Sequence, residues 1–461
     1  MTASRVRGPV ASTLVRRPGA RLVAALAAVC ALTHGAPGAV TLAQAYEAAL
    51  SADPKYRADR FERDAGLFAV PLARSQLLPA VSYSGSFTRY NGYRDSPSPA
   101  GEVRQDLHYD APVHALNLKL SLYSAENLRR YDQAKKQAEY SEAVFVTREV
   151  DLIDRLGSAY LQVLLSAEEL RLNEAQVAAF DGQSSGADRR YRSGEGTRTE
   201  IAESQARLDN AVAARIDTRT ALAVARATLR NMIGHDPGEL SDLHPDFLPQ
   251  PVTPGTLDAW LDIAYANSPM LAARRLAVQV AELEVEKARA GHKPRLDLIA
   301  GVTRSRSESV STLEQDLRQK FLGLQLNVPL YAGGYVSALT QQAVANLERT
   351  RADLETERNT IEINVRRAFL ACENALGRIM AYRSAVAASG IALEGTRRAF
   401  TAGLRTNVEV LDAQRLVFVS RRELAQNRFD YLLARLRLQS ASGVRPAQVV
   451  DDISGLLNAG P

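Results

Sequence analysis

The residues able to do chemistry are few and scattered. The chain has two cysteines, Cys30 and Cys372, and six histidines. His235 and His244 each stand near an aspartate, a spacing that could suit a metal pair. Both lie in the stretch Gly234 to Pro254, which holds five prolines and reads as a linker with no rigid frame for ligands. No H-E-x-x-H, G-x-S-x-G or C-x-x-C run is present, so no zinc protease, nucleophile elbow or dithiol pair is expected. No G-x-x-x-x-G-K loop offers a phosphate cradle. The sequence points to no enzyme and no cofactor.

The elements around these residues carry more information. Residues 1–39 hold Arg5, Arg7, Arg16, Arg17 and Arg21 and no acidic residue, followed by an apolar run from Leu22 to Leu32 and the small residues Gly35, Ala36, Gly38 and Ala39. That is the pattern of a secretory signal peptide, with an apolar run too short to span a bilayer. Cys30 could instead mark a lipoprotein, but Val29 before it is a poor fit for that. Taking the leader's five arginines from 57 basic residues leaves 52 against 52 acidic ones. The apparent basicity belongs to the leader, so no nucleic-acid partner is expected. An exported chain with Cys372 alone has no internal disulfide. No later run of 18 apolar residues appears, so any membrane crossing must use β-strands.

The chain contains itself twice. Thr41 to Pro54 matches Thr256 to Pro269, and Tyr191 to Glu200 matches Phe400 to Glu409. The period is far longer than a solenoid repeat and indicates duplication of a whole unit. The expected organisation is a first repeat over 40–233, a linker over 234–255, a second repeat over 256–445 and a tail over 446–461. Each repeat starts with a helical segment (42–78 and 257–292) that ends before Pro79 or Pro294. Two strands follow, over 80–123 and 295–331, and then a long helical hairpin, over 126–233 and 333–440.

The strands alternate with period two. Val81, Tyr83, Gly85 and Phe87 oppose Ser82, Ser84, Ser86 and Thr88; Leu322, Leu324, Leu326 and Val328 oppose Gly323, Gln325 and Asn327. Polar segments Asn91 to Gln105 and Ser305 to Arg318 separate the paired strands. Such alternation suits an outer-membrane barrel, and equally a half-buried sheet in a soluble domain. Tyr90, Tyr93 and Tyr109 at one end, and Tyr123 and Tyr331 at the other, suit two interfacial girdles. In the helices, Ile361, Val365, Ala368, Cys372, Ala375, Ile379, Tyr382 and Val386 recur at spacings of four and three, a heptad seam. Leu152, Leu156, Ala159, Val163, Ser166 and Leu170 repeat it. Cys372 occupies the place of Val163, which makes it a packed apolar residue. One chain offers four strands, too few to close a barrel in lipid, so membrane insertion demands oligomerisation. Three copies would give twelve strands and an open lumen.

The duplication, the run L-N-V-P-L-Y-A-G-G (Leu326 to Gly334), the turn A-G-L-R-T (Ala402 to Thr406) with V-L-D-A-Q (Val410 to Gln414), and the closing L-Q-S-A-S-G-V (Leu438 to Val444) resemble the TolC family over nearly the whole chain after the leader. Within that family the sequence is more similar to type I secretion members than to lipoprotein drug-efflux members. The resemblance implies a mixed fold, a long α-helical coiled-coil barrel plus a transmembrane β-barrel with four strands per protomer and twelve in a homotrimer. It implies a cell outer membrane location extending into the periplasm, with outer-membrane lipid around the strands. It implies a periplasmic adaptor (membrane fusion) protein, an inner-membrane ABC or RND transporter, and an exported polypeptide or small molecule as partners. It also implies a mixed belt built from residues 40–60, 234–270 and the C-terminal end.

Site residues follow from the same resemblance. Gly194, Thr197, Gly403, Arg405 and Thr406 stand at the adaptor-docking tips, though glycine also simply ends a helix and threonine caps the next. Glu168 and Glu169 in the first repeat, with Tyr382 and Arg383 in the second, would form a periplasmic gate of salt bridges and hydrogen bonds. Glu394 would repeat three times as an acidic ring at the entrance. Plain packing for Tyr382 and a solvated face for Glu394 are the simpler alternatives. Rival assignments for the whole chain are a multidrug-efflux duct of the same fold, a periplasmic coiled-coil scaffold and an envelope hydrolase.

Overall fold

The computed structural model describes residues 39–99, 101–244, 247–309 and 312–458. The expected signal peptide therefore lies outside the described residues, Ala39 excepted. Three short helices open the chain: α1 (Leu42–Ala52), α2 (Pro54–Leu67) and α3 (Ala69–Ser75). Strands β1 (Ala80–Ser98) and β2 (Gly101–Ser124) lead into the rod-like α4 (Ala125–Arg192) and its return, α5 (Arg198–Ile233). The second half repeats the order with α6 (Leu257–Asn267), α7 (Pro269–Arg289), β3 (Arg295–Ser309), β4 (Thr312–Asn327), α8 (Tyr335–Thr401) and α9 (Asn407–Ala441). Helix α10 (Pro446–Asn458) closes the chain where the sequence suggested only a tail.

The opening helical segment of each half is broken, not continuous. Asp53 and Ser268 precede prolines, which push them to extended backbone at φ −61°, ψ 117° and φ −60°, ψ 117°. Each then caps the helix it starts: Asp53 Oδ2 accepts from Tyr56 N at 3.1 Å, and Ser268 Oγ from Leu271 N at 3.4 Å. Arg155 of α4 also donates to the buried Asp53 at 2.8 Å, which fixes the bend against the long rod.

Helix α4 spans 68 residues and α8 spans 67, each on the order of 100 Å. The heptad seam is buried where expected: Ile361, Val365, Ala368, Cys372, Ala375 and Ile379 on α8, and Leu152, Leu156, Val163 and Ser166 on α4. Halfway along, the core thickens. Val40 pairs with Leu240, and the fully buried Tyr160 donates its hydroxyl to Val40 O at 2.8 Å. Tyr431, equally buried, donates to Gln250 O at 2.6 Å. Arg435 grips Asp452 through two bonds of 2.7 Å and so ties α10 to α9. Leu42, Trp260, Phe247, Val449 and Ile453 join one hydrophobic cluster with the seams. The helices are thus clasped at mid-height by the segment from Val40 into α1, by α10 and by the linker.

The four strands form one antiparallel sheet in the order β1-β2-β3-β4, two hairpins laid edge to edge with β2 and β3 joined only through helices α4 to α7. The strands run straight through the segments read as polar separators, and β1 turns into β2 only at Ser98 and Gly101. Cross-strand pairs sustain this extension: Arg89–Asp110, Arg104–Asp95 and Arg304–Asp316. The two halves leave the sheet differently. Ser124 ends β2 and caps α4 at once, accepting from Asn127 N at 3.2 Å. After β4, the chain needs Gly333 and Gly334 at φ +61° and +82° before α8 begins.

Candidate functional site: a membrane sheet and two helical tips

Residues directly opposite in an antiparallel ladder share a face, so the register assigns the sides of the sheet. One face carries Val81, Leu118, Ala300 and Leu322 in one row, and Leu120, Leu298 and Leu324 in the next. The other carries Ser82, Asn117, Lys119, Asp297, Thr303, Gln319 and Gln325. Asp297 is 5% exposed and is held by Arg295 at 3.0 Å and Lys119 at 3.3 Å. Apolar side chains left bare on one face and a charge network on the other suit hydrocarbon outside and water inside. Phe321 departs from this pattern, since its ring lies over Gly301 on the polar side; a Cβ on Gly301 would sit 2.6 Å from it. Tyr90 and Tyr109 also correct the girdle expectation. They stack on each other with centroids 4.9 Å apart, in the row that continues Ser84 and Ser86, and so face the polar side. Tyr93 stays on the apolar side, under the Arg104 guanidinium at 4.0 Å. Among the described residues, β1 and β4 each have a neighbour on one side only.

The far ends of the helical hairpins are built alike. Gly194 and Gly403 end α4 and α8 at φ +82° and +76°. Glu195 N donates to Arg190 O at 2.9 Å and Leu404 N to Ala399 O at 2.8 Å, the same helix-ending turn twice. Thr197 Oγ1 then accepts from Glu200 N at 3.2 Å, and Thr406 Oγ1 from Glu409 N at 3.4 Å. Glu409 returns the favour to Thr406 N at 2.8 Å, and that bond, with Arg405 beside it, holds its carboxyl below the usual range. The two tips are zipped together. Asn407 donates to the buried Ser204 at 3.1 Å, Arg207 pairs with Asp412 at 2.8 Å, and the Arg190 guanidinium lies 4.9 Å from the Phe400 ring. Leu404 projects into solvent at 79% exposure, a residue sequence reasoning passed over because apolar periodicity says nothing about a turn.

The expected gate residues are not joined within one subunit. Glu168 pairs instead with Arg171 on its own helix, and Arg383 is exposed. No hydrogen bond links either glutamate to Tyr382 or Arg383 among the described residues. Glu394 is also paired on its own helix, to Arg398 at 3.0 Å, which offsets its charge. The thiol of Cys372 is fully enclosed, and burial pushes its pKa up to about 12, so it is inert. The described residues hold no group of metal-type ligands.

Helices α4, α8 and α9, with the start of α7, line an open cleft of about 830 Å³ that includes Asp154, Asn364, Arg378, Asp430, Arg437 and Ser440. Burial raises the Asp154 carboxyl from 3.8 to about 6, with Ser440 and Arg437 pulling the other way. The folded chain therefore binds this proton more tightly than the unfolded one. The stability that Asp154 contributes falls as pH climbs from about 4 to about 6 and is level above. Asp154→Asn should raise stability above pH 6 by about 1–3 kcal/mol and leave it unchanged below pH 4. Urea midpoints at pH 4 and pH 7.5 check this.

The outer membrane efflux protein family model matches residues 45–235 and 260–444. The chain belongs to that family. Its relatives include the proteases secretion protein PrtF of Dickeya chrysanthemi, 33% identical over 95% of each chain. The alkaline protease secretion protein AprF of Pseudomonas aeruginosa is 33% identical over 88% of this chain and 85% of its own length. A crystal structure of a Pseudomonas aeruginosa membrane protein shares the fold, with a TM-score of 0.73 at 20% identity over 87% of this chain and 90% of that one. The protein is an outer-membrane channel subunit that reaches into the periplasm. The family's members are transport proteins, outer-membrane components of tripartite export systems.

Proposed function

We propose that three copies of the chain form a passive exit duct for type I secretion of a polypeptide, without catalysis of its own. One observation carries this: a four-stranded sheet with a bare apolar face and two open edges. A backbone edge in hydrocarbon has no water to bond, so β1 of one copy must pair with β4 of the next until the ring closes. The helical layer has matching flanks. Ile363, Leu370 and Ile391 sit exposed at heptad spacing on α8, and Ile216 and Val224 on α5, ready to meet neighbouring copies. The names of AprF and PrtF support a protein cargo. Gly194, Thr197, Gly403, Leu404, Arg405 and Thr406 would dock a periplasmic adaptor, which links the duct to an inner-membrane transporter. An ABC transporter suits the secretion reading.

The gate reading places Glu168 and Glu169 against Tyr382 and Arg383 of a neighbouring copy, and Glu394 at the entrance ring. Exposed pairs are each worth roughly 0.2–1 kcal/mol, so threefold repetition gives a closed state that docking can overturn. Glu168→Ala with Glu169→Ala should raise the conductance of single channels in planar bilayers. Unchanged conductance would remove the gate assignment and leave the duct. Failure of the native protein to conduct at all would remove the duct.

A further inference from the structure

The apolar face of the sheet ends in a charge pattern that transport through a lumen does not use. Along β4 that face reads Leu326, Leu324, Leu322, then Lys320, Arg318 and Asp316. Along β3 it reads Leu298, Ala300, Val302, then Arg304 and Arg306. Arg304 stands opposite Arg318 on β4 and opposite His114 on β2. His114 in turn meets the Tyr83 hydroxyl at 2.8 Å. Arg304 reaches Asp316 at 2.8 Å, and Arg318 reaches it at 3.4 Å. Arg304 and Arg318 thus converge on Asp316 at the point where leucines give way, with Lys320 one row below, and Arg304 and Arg318 have side chains 58% and 70% exposed.

The position decides what such a cluster meets. Successive residues on one face are about 6.6 Å apart along a strand, so Lys320 lies one step above the leucine band and Arg318 two. Midplane cations in a barrel wall are costly, but the cost falls to about zero to 1 kcal/mol at the interface, where headgroups lie. Guanidinium groups grip phosphate oxygens through paired N–H bonds, and lysine adds a point charge. The first hairpin offers no such cluster at the same level; its rows there hold Tyr83 with Leu116 and Gly85 with His114.

We propose that Arg304, Arg318 and Lys320, edged by His114, dock the phosphate groups of a phosphorylated membrane lipid at the end of the barrel away from the helices. The site rests on the reading of the leucine face as lipid-facing. Each subunit carries one.

Full-length complex in a neutral detergent, titrated with lipid A and followed by native mass spectrometry, tests the assignment. Wild type should retain the diphosphorylated lipid and discriminate against its dephosphorylated form. The triple variant R304Q/R318Q/K320Q should bind it about tenfold or more weakly while still assembling and conducting. Equal binding by the assembled variant, or equal affinity for dephosphorylated lipid A, would overturn the site and leave the duct intact. Displacement of the lipid by millimolar inorganic phosphate alone would make it a free-anion site and overturn the lipid assignment. Loss of assembly in wild type would instead count against the duct itself.

Discussion

Leu324→Arg is expected to prevent stable insertion of the assembly, while Ser82→Arg, on the opposite face of the same sheet, is tolerated. Leu324 is 66% exposed in the single chain, in a row with Leu298 and Leu120 and no polar neighbour. An arginine near the midplane of a barrel wall costs about 2–4 kcal/mol per copy, so three copies lose on the order of 6–12 kcal/mol. Ser82 stands opposite Asn117 on the polar face, where an arginine keeps its water. The amount of heat-resistant oligomer recovered from outer membranes should fall sharply for the first variant and change little for the second. Equal recovery of both would mean the faces have been assigned wrongly.

Gly443→Ala is the second large effect. Gly443 ends α9 at φ +74°, and a Cβ there would lie 2.5 Å from Asn267 O and 2.6 Å from Asn267 C. Asn267 closes α6 just before the Ser268–Pro269 bend, so the clash is with backbone that cannot swing away. Backbone strain of about 1 kcal/mol and the displaced bend together should cost about 2–4 kcal/mol. Gly403→Ala is the control. It has a similar φ of +76° but nothing within 4 Å of the added carbon, so only the strain remains, about 1 kcal/mol. Urea midpoints of the extracted protein should therefore shift several times further for Gly443 than for Gly403.

That contrast shows what a sequence can and cannot say. The run L-Q-S-A-S-G-V stands out by resemblance, yet the reason for its glycine is a contact with a residue 176 positions earlier. The seams were legible because heptad spacing is local, and Ile361 to Ile379 are buried accordingly. The tips were legible because glycine and threonine have local duties there. The bends at Asp53 and Ser268 follow from the proline after each, which breaks 42–78 and 257–292 where the helical period alone predicts one segment. The extra strand length came from cross-strand pairs such as Arg89 with Asp110, which no single-strand pattern reveals. The side occupied by Tyr90 and Tyr109 was likewise a matter of register, which only the pairing fixes. Glu168, Glu169, Tyr382 and Arg383 show no mutual hydrogen bond within one subunit among the described residues, so the proposed gate would have to form between copies, which no single-chain pattern reveals.

The mass of the folded particle before and after detergent removal bears most directly on the closed ring of shared strands. Three chains per particle in detergent, with precipitation once it is withdrawn, is the outcome that ring requires. A single chain that stays folded and soluble in plain buffer, with its leucine face content in water, would contradict it.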